Sequence, residues 1–262
     1  MSAQKHYLPE SLFDRKVVIH VIGCGGTGSH LVPRLPLLHK SMLALGHPEG
    51  IEVVVWDGDN VSESNTVRQN FFPPDVGKNK ASIMVNRINA AYGLNWRANP
   101  CRFSASLADQ HYLRADIVIG CVDTKSARRE IDRFVRSGRA SYYIDSGNTA
   151  NSGQIIVGQT PRAQDSRLRL PLASELYPEL VEGEDDNEPS CSARESLAKQ
   201  GLATNPMCAS WIMTWLSEGF RNGYIEWSGL FFNLSNGRSS SIPIDPEVWD
   251  SIRPAQNQAQ AA

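Results

Sequence analysis

Short apolar runs rich in β-branched residues recur along the first 160 positions, and each breaks off at a glycine or an aspartate. Residues 16–22 run into Gly23-Cys24-Gly25-Gly26-Thr27-Gly28, residues 51–56 stop at Asp57, and residues 115–121 stop just before Asp123. Runs that are apolar throughout, rather than alternating, mark strands buried on both faces of a sheet. A weaker strand is expected at 97–105 and another at 141–145. Mixed polar and apolar segments between them predict helices after the glycine turn, at 78–92 and at 125–137. Pro33 suits a first helical turn, whereas Pro36 predicts a kink or an early stop. Strands alternating with helices imply a mostly parallel sheet with helices on both faces.

The pattern changes after about residue 158. The stretch 182–189 is acidic, lacks apolar anchors and reads as a solvated, mobile crossover loop. Residues 206–221 carry Met, Ile, Trp, Leu and Phe at helical spacing, which predicts a core helix, and 229–234 predicts a strand. The expected division is a loose polar arm (1–15), an α/β core (16–158), a C-terminal extension that completes the same domain (159–253) and a disordered tail (254–262).

Composition narrows the class without naming it. The chain has 262 residues, 41% hydrophobic and 21% charged, with a formal net charge of −2. No bulk cationic field draws it to nucleic acid or to a membrane surface. No apolar run approaches the ~20 residues that span a bilayer. Five scattered cysteines are too few for a disulfide scaffold, so free thiols in a reducing cytoplasm are expected.

The glycine turn follows a strand and opens a helix, the context in which such a motif cradles a phosphate. Its plain structural alternative is a tight turn with close helix–sheet packing. Asp57 ends the next strand, where dinucleotide folds place the acid that holds ribose hydroxyls. The step from position 28 to position 57 exceeds the usual spacing of about 20, so the first crossover carries extra length, assigned to 39–50. A nucleotide-dependent oxidoreductase and an ATP-using enzyme both remain open on a Rossmann-like fold.

The next segment, Asp57-Gly-Asp59 through Ser64-Asn65-Thr-Val-Arg68-Gln69, then Gly77-Lys78-Asn79-Lys80, is denser in polar groups than a plain dehydrogenase needs. Arg68 and Lys80 supply two cations for one anion. Asp123 ends another strand, so that Gly23, Asp57 and Asp123 can face one crevice at the carboxyl ends of the strands. A carboxylate facing phosphates calls for an intervening cation, and Mg²⁺ suits one or two carboxylates plus phosphate oxygens. Singly, each residue has a bland reading: Asp57, Ser64 and Asp123 as caps, Asn65 as a turn residue, Arg68 and Lys80 as solvated charges.

As a set, Gly23-x-Gly25-Gly26-x-Gly28, Asp57-x-Asp59, Ser64-Asn65-x-x-Arg68-Gln69, Gly77-x-x-Lys80, Cys121-Val122-Asp123 with Arg128, Ser146-Gly147 and Gly153-Gln154-Ile155 resemble the ThiF/MoeB/ubiquitin-activating-enzyme superfamily over 16–158. More narrowly, the chain is similar to the ThiF-type member of plasmid-associated PRTRC systems. The resemblance implies ATP-dependent adenylation of the C-terminal glycine carboxylate of a ubiquitin-like or sulfur-carrier β-grasp protein. By position it implies that Asp57 holds ribose, that Asn65, Arg68, Gln69 and Lys80 contact phosphates, and that Asp123 binds Mg²⁺. A homodimer is the family habit.

The chain also departs from that pattern. It lacks paired Cys-x-x-Cys motifs, so no structural zinc is expected. Cys191, after the acidic stretch, is the candidate for a thioester-forming cysteine, and an ordinary surface cysteine is its alternative. Cys24, Cys121 and Cys208 read as buried fillers. Relatives often supply an N-terminal arginine to a neighbouring subunit's ATP site, and here the arm offers only Arg15. Competing readings are a non-catalytic partner subunit, an NAD-dependent oxidoreductase, and a related enzyme adenylating a small molecule or a tRNA base, the last weakened by the lack of a basic patch.

Overall fold

The computed structural model describes residues 4–111, 113–163, 168–185 and 201–253. In chain order the main elements are β1 (His6–Tyr7), β2 (Val17–Ile22), α1 (Gly26–Leu31), α2 (Leu35–Ala44), β3 (Ile51–Trp56), α3 (Lys80–Tyr92) and β4 (Arg97–Asn99). Then follow α4 (Ala105–Gln110), β5 (Ala115–Gly120), α5 (Lys125–Phe134), β6 (Ala140–Asn148), β7 (Ser152–Gln159), α6 (Ala173–Leu176) and α7 (Thr204–Asn222). The described chain closes with β8 (Tyr224–Ile225), β9 (Trp227–Asn233), β10 (Arg238–Pro243) and α8 (Pro246–Ile252).

Eight strands form one sheet in the order β10-β9-β7-β6-β5-β2-β3-β4. The run β6-β5-β2-β3-β4 is parallel, and β7, β9 and β10 extend it antiparallel. The predicted α/β class therefore holds. The strand order reverses between β2 and β5, which opens a crevice at their carboxyl ends.

Alternate side chains explain why these strands are apolar throughout. Along β3, Ile51, Val53 and Val55 pack with Leu31, Leu35, Met84, Ile88 and Trp215 on one face. Val54 and Trp56 pack with Ala108, Ile131 and Phe134 on the other. Both faces are covered, so neither can be polar.

The prolines divide the first crossover rather than ending it. Pro33 falls in a 3₁₀ turn, Val32–Arg34, and Pro36 lies in the first turn of α2, where its missing N–H costs nothing. The expected strand near 97–105 shrinks to three residues before α4 begins.

The arm is not loose from His6 onward. β1 pairs with β8, Leu8 and Leu12 are buried, and the His6 ring nitrogen Nε2 lies 2.8 Å from the Tyr142 hydroxyl. Arg15 grips Asp116 through two bonds, of 2.9 and 2.6 Å. That ion pair lies by the first residues of β2 and β5, at the opposite end of the sheet from the crevice.

The first part of the acidic stretch is also held in place. Asp185 accepts from the Ser126 backbone N–H (2.9 Å) and hydroxyl (2.5 Å) at the start of α5, and Arg129 donates to the Val181 and Gly183 carbonyls. Cys191 and the expected tail from 254 lie outside the described residues.

Candidate active site

A cleft of roughly 990 Å³ opens at the carboxyl ends of β2, β3, β5 and β6. Gly23, Gly25 and Gly26 line it after β2, and Asp57 and Asp59 line it after β3. Asn65, Arg68 and Gln69 border it from the following loop, Lys80 from the start of α3, and Asp123 from beyond β5. Of the residues singled out as nucleotide or metal contacts, only Gly28 is not among the lining.

The glycines divide into two kinds. Gly23 has φ +94°, and a Cβ there would meet the Cys121 carbonyl oxygen at 2.4 Å. A Cβ on Gly28 would come within 2.0 Å of the Gly23 carbonyl oxygen, and one on Gly26 within 2.5 Å of Asn205 Oδ1. These three are required by packing. Gly25 is different, because its nearest neighbour would be Gln69 Nε2 at 3.9 Å. A side chain there would fill cleft space that the protein itself leaves open, as a site for close approach by a ligand requires.

Asp57 organises the floor. Its carboxylate accepts the Cys24 N–H at 2.6 Å and the Asp59 N–H at 2.8 Å. Burial pushes its carboxyl above the ordinary range, while those two bonds and Lys80 pull the other way. Asn79 caps α3 by accepting from Ser82 N–H and ties back to the Asp57 and Asp59 carbonyls. That cap fixes Lys80, whose side chain is 9% exposed and whose ammonium stands 3.5 Å from Asp59.

The loop from 62 to 70 is pinned to α1. The His30 ring nitrogen Nε2 lies 3.0 Å from the Arg68 carbonyl, and Asn70 N–H donates to the Ser29 hydroxyl at 3.1 Å. Asn65 spends its Oδ1 on the Ser62 N–H, which is the turn role expected of it as a bland residue. Burial lowers the Arg68 pKa, and the nearby Asp123 opposes that shift. Gln69 Oε1 is buried without a hydrogen-bond partner among the described residues.

Two further features were not foreseen. Asn205, in the first turn of α7, accepts from the Thr27 hydroxyl at 3.2 Å and from Asn148 Nδ2 at 2.8 Å. Arg102 and Phe103 border the cleft beyond β4. Thr27 and Asn205 are 178 positions apart, so no local spacing signals their contact.

The sequence pattern described as "ThiF family" matches residues 10–247. The chain belongs to the ThiF family. It is similar to mouse ubiquitin-like modifier-activating enzyme 6, with 31% identity over 58% of this chain and 15% of that protein. It is also similar to rat ubiquitin-like modifier-activating enzyme 1, with 27% identity over 71% of this chain and 16% of that protein. This ThiF-family chain thus spans only about a sixth of these curated relatives. Among solved structures, its fold resembles that of PaaA (TM-score 0.61, 15% identity, 87% of this chain and 64% of that one). It also resembles E. coli MccB (TM-score 0.62, 15% identity, 87% of this chain and 62% of that one).

The cysteines of this ThiF-family chain sort by burial. Cys24, Cys101, Cys121 and Cys208 are free thiols. Burial raises the Cys24 thiol and pushes Cys121 and Cys208 up to about 12, so none of these three offers a thiolate near neutrality. Among the described residues no group of three His, Cys, Asp or Glu side chains is placed to hold a metal ion unaided. No described helix is long and apolar enough to cross a membrane.

Proposed function

We propose that this chain adenylates the C-terminal carboxylate of a ubiquitin-like β-grasp protein ending in glycine, with ATP as the donor. The observation that carries the reading is Lys80: an ammonium held almost out of water in a glycine-lined cleft that Arg68 and Asp123 also line. Burying a cation is costly unless an anion compensates it, and Asp59, its 3.5 Å neighbour, is itself largely exposed. A polyphosphate in the cleft would supply that anion.

In this reading Gly25 leaves room for the nucleotide backbone, and Asp57 presents its remaining lone pairs to the ribose hydroxyls. Arg68, Gln69 and Lys80 meet the phosphates. Asn65 can contribute only through its amide nitrogen, since its oxygen is used in the turn. The donor set suits Mg²⁺, because an Asp123 carboxylate facing a triphosphate needs a cation between them. Bound there by Asp123 and phosphate oxygens, Mg²⁺ would offset charge on the leaving pyrophosphate. The carboxylate attacks the α-phosphorus while Arg68 and Lys80 stand where negative charge accumulates. Such preorganised charge is often the largest contribution to catalysis.

A thioester step on Cys191 belongs to the same proposal. A Cys191→Ala protein should still make the acyl-adenylate but form no reducible adduct with the acceptor. An adduct that persists would assign the step to another residue. The likeness to the PRTRC-system ThiF-type protein and the homodimer are likewise proposals. Leu37, Leu43 and Leu45, exposed on and just beyond α2, offer apolar surface for a second copy. Sedimentation equilibrium at a monomer mass would remove the dimer.

The direct test is exchange of labelled pyrophosphate into ATP with candidate β-grasp proteins. Exchange that requires both Mg²⁺ and a free C-terminal glycine supports the reading. No exchange with any glycine-ending β-grasp partner would falsify it.

A further inference from the structure

Between two buried apolar anchors, Val61 and Phe71, the chain borders the cleft on a loop with little core of its own. Its 3₁₀ turn, Glu63–Val67, buries no residue. Bonds inside the loop shape it without locating it. Asn65 N–H donates to the Ser62 carbonyl at 3.0 Å, Gln69 N–H to the Asn65 carbonyl at 2.9 Å, and Phe71 N–H to the Gln69 carbonyl at 2.8 Å. A turn closed on itself keeps its form wherever it lies. Its distance from the glycine turn depends on bonds that leave the loop.

Two such bonds run to adjacent residues of α1. Ser29 Oγ accepts the Asn70 N–H at 3.1 Å and donates to the Gly26 carbonyl at 3.1 Å. His30 Nε2 stands 3.0 Å from the carbonyl of Arg68 itself. A carbonyl oxygen only accepts, so Nε2 carries the hydrogen. Burial lowers the His30 pKa, the bond to the Arg68 carbonyl opposes that shift, and Arg34 adds to it. The ring therefore donates while neutral, without a third positive charge near Arg34 and Arg68. α1 starts at Gly26, inside the glycine turn, so His30 reaches the arginine from one helical turn along the same rigid element. Arg68 needs such a hold. Its side chain lines the cleft and burial disfavours its charge. A long, flexible cation presents its charge at one point only where its own backbone is fixed.

We infer that His30 is a positioning residue for the nucleotide site: through the Arg68 carbonyl it sets where the Arg68 guanidinium stands relative to the glycine turn, and with it the preference for a triphosphate over a monophosphate. This rests on the adenylation reading, in which Arg68 meets the phosphates, and adds the residue that aims it. His30 touches neither nucleotide nor acyl acceptor in this scheme and acts only through Arg68. Ser29 supports the same loop from its other side, at Asn70.

The test compares β,γ-imido-ATP with AMP, each titrated calorimetrically with Mg²⁺ into the full chain. The wild type should bind the triphosphate at least about tenfold tighter, the gain expected of a charge-assisted phosphate contact. His30→Leu removes the donor at similar volume and should cut that ratio by at least about threefold, with AMP affinity held within about twofold, because a misplaced guanidinium loses its grip on the phosphates alone. His30→Gln offers an amide N–H on a side chain of similar reach and should keep the ratio within about twofold of the wild type. Arg68→Ala should lower the ratio on its own. Adding His30→Leu to Arg68→Ala should then change nothing, because no guanidinium is left to aim. A general loosening of the fold would weaken AMP as well and would persist in the Arg68→Ala background. An unchanged ratio in His30→Leu, an equal fall in His30→Gln, or an equal further fall in the Arg68→Ala background overturns the inference. A wild type that binds neither nucleotide, or binds both alike, would instead overturn the adenylation reading beneath it.

Discussion

The two ends of the parallel strands use the same residue types in opposite ways. At the amino ends, Arg15 and Asp116 close on each other through two bonds, and Asp116 takes the Val18 N–H as a third. At the carboxyl ends, Lys80 is buried while its neighbour Asp59 is 57% exposed and 3.5 Å away, and burial disfavours the charge on Arg68. The first arrangement is a closed bidentate pair, which holds two strands and the arm together. The second keeps cations half-desolvated around open space. On the proposed reading, such an arrangement costs stability in the free protein and favours an anion, the usual trade at functional sites. Breaking each end should therefore fail in different ways.

The largest effects are expected at the carboxyl end. Asp123→Ala and Lys80→Met should each lower pyrophosphate exchange by about 10²–10³-fold, by analogy with loss of one oxyanion donor. Neither should lower the melting temperature, and Lys80→Met should raise it if the buried ammonium is a liability. A matching loss of folding in both variants would place these residues in the scaffold instead. Next come the glycines. Gly28→Ala drives a Cβ into a backbone carbonyl and should cost about 1–3 kcal/mol of stability, as overpacking does. Gly25→Ala has room in the fold, so chemical denaturation should show a smaller loss while ATP affinity drops. Equal stability losses at both positions would remove Gly25 from the site.

At the amino end, Arg15→Gln should leave exchange unchanged and cost about 1–3 kcal/mol, because Asp116 is left mostly buried with a partner missing. Exchange that falls with Arg15→Gln would reopen its role at an ATP site. The smallest effect concerns His20, which lies on β2 between the two ends. Burial lowers its pKa from 6.5 to about 4. The unfolded chain binds that proton more readily, so the stability it supports is present above pH 6.5 and is lost as pH falls towards 4. From pH 6.5 to 5.5 the loss should be about 1 kcal/mol, and a His20→Leu protein should lack that slope.

β2, β3 and β5 were legible in the sequence because both faces of the sheet are covered there, which writes each as a mostly apolar run ending beside a cleft residue. Of the antiparallel half, only β9 was, as the strand expected at 229–234. β10 reads Arg-Ser-Ser-Ser and looks like a loop, since most of it is exposed at the sheet edge. β1 and β8 are two residues each, too short for any period. Gly23, Asp57, Lys80 and Asp123 could be placed on one cleft because strand ends and helix starts mark them. Asn148 and Asn205 could not, since only the packing of α7 against the glycine turn brings them together. The polarity of the arm and of residues 182–185 suggested loose chain. The structure instead spends that polarity on Asp116, Tyr142 and the start of α5.

The central claim is that the carboxyl-end charges exist to hold Mg·ATP, and thermal denaturation with added nucleotide addresses it most directly. At a hundredfold excess over its dissociation constant, Mg·ATP should stabilise the wild type by about 2.7 kcal/mol. NAD should leave it unchanged, and Asp123→Ala and Lys80→Met should lose most of the ATP shift. Stabilisation by NAD alone, or an ATP shift that survives intact in both variants, would contradict the account.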